Sequence, residues 1–171
     1  MRWLLSPAFV GSVLLATLST IADYVWYLNI PQHQVASGMT HGATLFAALG
    51  LYLGWRKGKA LAGALGGLLS GAVAAGSFYI LAPIGGYSMM LVSWLLLWIL
   101  LATLQTYLDG DLDFLKAIGR GVITAIVAAV GFGVVLFQLY RGWPPPAFPA
   151  VTHFIAWTIA YLPGLYVLIK R

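Results

Sequence analysis

The chain contains no cysteine and no glutamate, and only 8% of its 171 residues are charged. Without cysteine there are no disulfides, no thiolate metal sites and no thiol redox chemistry. Without glutamate, every side-chain carboxylate is an aspartate, at positions 23, 109, 111 and 113, which leaves little material for paired-carboxylate catalysis. The three histidines, His33, His41 and His153, form neither HExxH nor HxxxH. No Gly-rich phosphate cradle occurs, since Gly85-Gly86 reads as a turn. Polar surface for a water-soluble globule is also missing: 61% of the residues are apolar, a balance outside the range of soluble domains.

What is there is long apolar runs. A membrane-spanning helix takes roughly 20 apolar residues, and six candidates cover about 7–28, 37–55, 60–82, 87–107, 114–140 and 147–169. The expected fold is all-α, a single polytopic bundle of six transmembrane helices with short joints and no second domain. Met1-Arg2-Trp3-Leu4-Leu5 opens like a signal peptide, but the apolar stretch runs on to Leu28 without a small-residue cleavage site, so it reads as a retained span. The net charge of +5 is no sign of nucleic-acid affinity, because the basic residues sit at span ends. Arg2, Arg56, Lys57, Lys59, Lys116, Arg120, Lys170 and Arg171 fall on one side and only Arg141 on the other. The positive-inside rule then puts both termini in the cytoplasm. Very short loops and the missing cysteine point to a prokaryotic plasma membrane.

The three outer joints each contain proline and each follows aromatics: Trp26-Tyr27, Phe78-Tyr79 and Phe137 to Tyr140. An interfacial aromatic belt accounts for such rings. Tyr27, Thr40-His41 and Gly50-Leu51-Tyr52 recur as Tyr140, Thr152-His153 and Gly164-Leu165-Tyr166, but the spacing differs by two residues, so helical phase is not kept. Helix 3 has small residues at every fourth position (Gly63, Gly67, Gly71, Ala75), and helix 5 repeats the pattern (Ala117, Gly121, Ala125, Ala129, Gly133). Such seams let backbones approach closely in lipid, so helices 3 and 5 are expected to be central, or to join a partner membrane protein or a second copy. Helix 4, rich in leucine and tryptophan, is expected to face lipid. Pro163-Gly164 is expected to break or bend helix 6.

Polar side chains within spans are expensive and mark candidate sites. Asp23 is the one acidic residue inside a span, about five residues or roughly 7 Å from its outer end. His41 and His153 open helices 2 and 6 from the same side, with Gln138 and Tyr79 near the outer ends of helices 5 and 3. These five, with Trp26, Trp157 and Tyr161, form one layer of the outer leaflet. Three readings compete. The layer is the mouth of a pocket for an amphipathic lipid-like or sterol-like ligand, its head bonded by Asp23, His41, His153 or Gln138 and its entry lined by Trp26, Trp157 and Tyr161. Alternatively, His41 and His153 ligate a b-type haem, or histidines and Asp23 hold a divalent metal in a redox component. Or the groups only satisfy one another in a structural subunit of a larger complex. An Asp23–histidine acid/base pair is the sole catalytic arrangement on offer, so the chain reads as a non-enzyme. The Asp109, Asp111, Asp113 run could hold a divalent cation, but Asp113 before Phe114 suits a helix N-cap better. Ion-coupled transport would need polar groups at the midplane and a pair of broken helices, and one Pro-Gly is no pair.

Six spans, short loops, a Gly-studded fifth helix (Gly119 to Gly133), an aromatic and proline-bearing outer loop (Tyr140 to Pro149) and a last helix ending in Lys170-Arg171 resemble the Insig family and its prokaryotic relatives. The resemblance is one of span pattern. It implies a non-enzymatic bundle with a membrane-facing cavity for lipid or sterol-like ligands, and partners that are other membrane proteins. The stretch from Trp143-Pro144-Pro145 to Tyr161 also looks like part of the translocator-protein family. That family has five spans and carries the motif near its N-terminal end.

Overall fold

The computed structural model describes residues 6–29, 34–111, 113–134 and 150–170. Among them are six α-helices and no strand: α1 (Pro7–Asn29), α2 (Gln34–Trp55), α3 (Ala60–Gly85), α4 (Met89–Asp109), α5 (Phe114–Val134) and α6 (Ala150–Ile169), with a 3₁₀ turn at Gly86–Ser88 before α4. Three stretches, Ala60–Gly85, Met89–Asp109 and Phe114–Gly131, are long and apolar enough to cross a membrane, and α1 and α6 hold shorter apolar stretches, Pro7–Ala22 and His153–Ile169. Large apolar side chains stand outward on all six helices, Ile21, Leu51, Leu61, Leu91, Ile126 and Ile155 among them. That surface suits lipid and not water: the chain is a membrane protein.

Local chemistry sets the helix ends. Ser6 caps α1 by accepting the Phe9 N–H on its Oγ at 3.3 Å, and Pro7 takes the first helical position, where no N–H is needed. Gly58, at φ 69°, turns α2 into α3. Gly110, at φ 79°, ends α4 in the left-handed region and returns its N–H to the carbonyls of Thr106 and Tyr107, a conformation costly for a residue with a Cβ. At two prolines a helix runs on where the sequence predicted a joint or a break. α3 runs through Pro83 to Gly85, forfeiting the one backbone hydrogen bond that Pro83 cannot donate. α6 likewise runs through Pro163 without interruption. The α5 residue Gly131 lies against the Ile159 carbonyl, which Pro163 leaves without a helical donor: a Cβ there would sit 3.0 Å from that oxygen.

Each helix touches the next, and α1 meets α6, so the six close into a ring; α4 also touches α2 and α6. Buried positions fall at helical spacing: Ala8, Ser12, Leu15 and Ser19 on α1; Leu97, Leu101, Leu104 and Leu108 on α4; Ala156, Ala160, Leu165 and Leu168 on α6. The expectation that α4 faces lipid is overturned. Trp98, Leu101 and Ala102 are fully buried, and α4 is the most buried of the three membrane-length stretches.

The small-residue seams of α3 and α5 exist, but they are used inside the chain. Gly63, Gly67 and Gly71 lie against Gly42, Phe46, Gly50 and Gly54 of α2, so closely that a Cβ at Gly67 would strike the Phe46 carbonyl and one at Gly50 the Gly63 carbonyl. Ala117 and Ala125 are buried, and Gly121 lies on the backbone of Ile99 in α4. Within the chain, α2 covers the Gly63–Gly71 face of α3, and α4 meets Gly121 of α5.

Candidate functional site

The expected outer layer is only partly visible. The side chains of Asp23 and Trp26, and the whole of Gln138 and His33, lie outside the described residues. His41 does not open its helix: α2 begins at Gln34, which sets the half-buried His41 about two turns in. His153 sits in the first turn of α6 and is 9% exposed. Thr40-His41 and Thr152-His153 are therefore not equivalent positions. Tyr79 lies over Gly38 of α2, where a Cβ would clash with its phenol, and makes an edge contact with Phe78, centroids 5.3 Å apart. Among the described residues, the helices carrying His41 and His153 do not pack on each other. Among the described residues no three His, Cys, Asp or Glu side chains come together.

The structure does join Trp157 and Tyr161, one turn apart, with two residues the sequence reading assigned to a lipid face. Tyr161 stacks between Trp157 (5.5 Å, 17°) and Trp94 (6.2 Å, 25°), and Trp94 meets Trp98 edge-on at 5.7 Å. Ser19 of α1 bonds the Tyr161 hydroxyl at 3.1 Å. Tyr161 is 3% exposed: its ring is core and its hydroxyl is already engaged. Gly164 makes room for this cluster, since a Cβ there would lie 2.9 Å from the Trp98 ring.

Two openings lie instead at the basic end, where the charged joints gather. A groove of about 330 Å³ runs between α3, α4 and α5. Leu69, Leu100, Leu104 and Phe114 form its apolar wall, and Thr103, Thr106, Asp111 and Asp113 its polar end. A cavity of about 340 Å³ lies between α1, α2, α4 and α6, lined by Arg56, Lys57, Gln105 and Lys170. Sequence reasoning missed both. Leu100 and Gln105 both lie in the helix that was expected to face lipid.

The aspartates of the α4–α5 joint each have a task. Asp109 pairs with Lys57 at 2.6 Å and accepts from Gln105 Nε2 at 3.2 Å. Asp113 caps α5, accepting the Lys116 N–H on Oδ1 at 3.0 Å, as the sequence suggested. Asp111 accepts the Lys116 ammonium at 3.1 Å and the Asp113 N–H at 3.1 Å. The Lys116 hydrogen bond first, and then that N–H, hold the Asp111 carboxyl below its ordinary 3.8. A depressed carboxylate lends its stabilisation above the unfolded value and loses it as pH falls through the folded one. In an NMR titration the Asp111 carboxyl should therefore show a midpoint below 3.8, and Lys116→Gln should move it up; an unmoved midpoint would remove Lys116 as the cause.

No family model, curated protein or solved structure matches the chain.

Proposed function

We propose that the chain is a non-enzymatic, six-span membrane protein, both termini cytoplasmic, that holds a neutral amphipathic ligand of lipid-like or sterol-like build among its helices. The observation that carries the reading is the groove between α3, α4 and α5, with an apolar wall and one polar end. Ligand sites have this make-up: mostly apolar, with few polar groups, and at least about 300 Å³. The polar end also selects for the ligand's headgroup. The hydroxyls of Ser70, Thr103 and Thr106 each donate to a carbonyl of their own helix, at 2.7 Å, 2.9 Å and 2.8 Å. Their hydrogens are spent, which leaves them only lone pairs to offer a ligand. Asp111 and Asp113 add only acceptors. A ligand that donates, such as a sterol or diglyceride hydroxyl, suits this lining; an anionic head does not. The outer-leaflet pocket expected from the sequence belongs to the same functional class, with its entry at the opposite end of the bundle.

Photolabelling distinguishes the two positions. A diazirine-bearing sterol or diacylglycerol should label Leu69, Leu100 or Leu104. Leu100→Trp, which fills the groove, should reduce the labelling several-fold, while Leu91→Trp on the outer surface should not. Labelling that ignores Leu100→Trp and falls with His153→Ala or Asp23→Asn would move the ligand to the outer layer. Labelling that responds to none of these would end the ligand-binding reading.

A further inference from the structure

The cavity between α1, α2, α4 and α6 differs in character from the groove. We infer that it binds a phosphate diester that also carries a hydroxyl donor, the headgroup chemistry of phosphatidylglycerol. Three cations line it, Arg56, Lys57 and Lys170. Lys57 is neutralised by Asp109 at 2.6 Å. Arg56 and Lys170 have no carboxylate partner among the described residues, and Lys170 lies over the Tyr166 ring, 5.4 Å from its centroid. Ser6, Pro7 and Ala8 bring the N-terminus of α1 to the same wall, so the positive end of a helix dipole adds to the two free cations. The Ser6 Oγ accepts from Phe9, which leaves its hydrogen to donate.

The basic residues do more than anchor helix ends. An anchoring lysine is present for comparison: Lys59 Nζ donates to the last carbonyls of α4, Tyr107 and Leu108, both at 3.2 Å. Arg56 and Lys170 face an opening that also holds Gln105, an amide 4% exposed. A carboxylate only accepts, so Asp109 fixes which way this amide points: Nε2 faces Asp109. The Oε1 is then left buried with no hydrogen-bond partner among the described residues. An unmet buried acceptor is costly, and a phosphate diester, which has no hydrogen to donate, would not relieve it by itself. A headgroup that combines a phosphate with a hydroxyl serves both ends of the cavity: the phosphate meets Arg56, Lys170 and Ser6, and the hydroxyl donates to Gln105. Basic pockets between helices at a charged membrane face are suited to anionic headgroups.

The test uses the full chain in detergent and native mass spectrometry. It is titrated with phosphatidylglycerol, with phosphatidylmethanol (the same charge without the hydroxyl) and with phosphatidylcholine. Phosphatidylglycerol should be retained about tenfold over phosphatidylcholine, and Arg56→Gln with Lys170→Gln should abolish that margin. Lys116→Gln, at the same end but outside the cavity, should leave it intact. Gln105→Met should level phosphatidylglycerol with phosphatidylmethanol; this arm decides the matter if the double variant does not fold. Glycerophosphoglycerol or inorganic phosphate displacing the lipid at millimolar concentration would keep the site and assign it to a soluble phosphate. Equal retention of phosphatidylglycerol and phosphatidylcholine, or an equal loss with Lys116→Gln, overturns the inference. Leu100→Trp should not change any of these ratios, so the cavity and the groove fail separately.

Discussion

Gly67→Ala should destabilise the bundle by about 3 kcal/mol, near the top of the usual range for overpacking. Alanine is the better helix former, by about 1 kcal/mol, and at an open position that gain would show. At Gly67 the added Cβ meets the carbonyl of Phe46, and a carbonyl within a helix cannot swing aside like a side-chain tip. α2 and α3 must part, and the close contact is lost along the whole seam from Gly42 to Gly54. Gly119 supplies the control, because nothing lies within 4 Å of a Cβ placed there. Gly119→Ala should be neutral or slightly stabilising. Reversible unfolding in mixed micelles measures both. Equal effects would mean that the seam tolerates separation and that backbone contact is not what holds α2 to α3.

Trp98→Ala should cost about 3–5 kcal/mol, the range for deleting a large buried ring. Trp98 is fully buried, wedged where Gly164 and Ala128 leave room and edge-on to Trp94. Trp98→Phe separates packing from polarity. The indole Nε1 has no hydrogen-bond partner among the described residues, so phenylalanine loses some volume but also removes a buried donor that costs about 1–3 kcal/mol. The two effects oppose, and the net change should be small. Trp55→Ala, at a side chain 70% exposed, should change little. A large loss in Trp98→Phe would show that the indole nitrogen is bonded after all.

How far the sequence revealed these features depends on the kind of signal. The α3 seam was legible because glycine at every fourth position has one geometric reading. Its α2 half was not, because Phe46 interrupts Gly42, Gly50 and Gly54, and Phe46 contributes its backbone to the contact. α4 was misread for a physical reason: leucine and tryptophan are equally at home in lipid and in a protein interior, so composition cannot tell the two apart. The better clue was polar. Ser93, Gln105 and Thr106 are all buried, and no lipid-facing surface would hold them. Direction around the helix could not be read from spacing alone. Tyr79 turns to α2, and Tyr161 turns inward to Ser19. The groove and the basic cavity were out of reach, since each is made by three or four helices whose order around the ring no linear pattern states.

That ring closes through α1 and α6, the two helices farthest apart in the sequence. Ser19 meets Tyr161 only when α6 docks on α1. Until then the inner stripe of α1, with Ser12 and Ser19, lacks most of its cover. Without α6 in place, the bundle presents an unsealed slot beside α1. Docking of α6 is thus the step that turns an open row of helices into a closed ring.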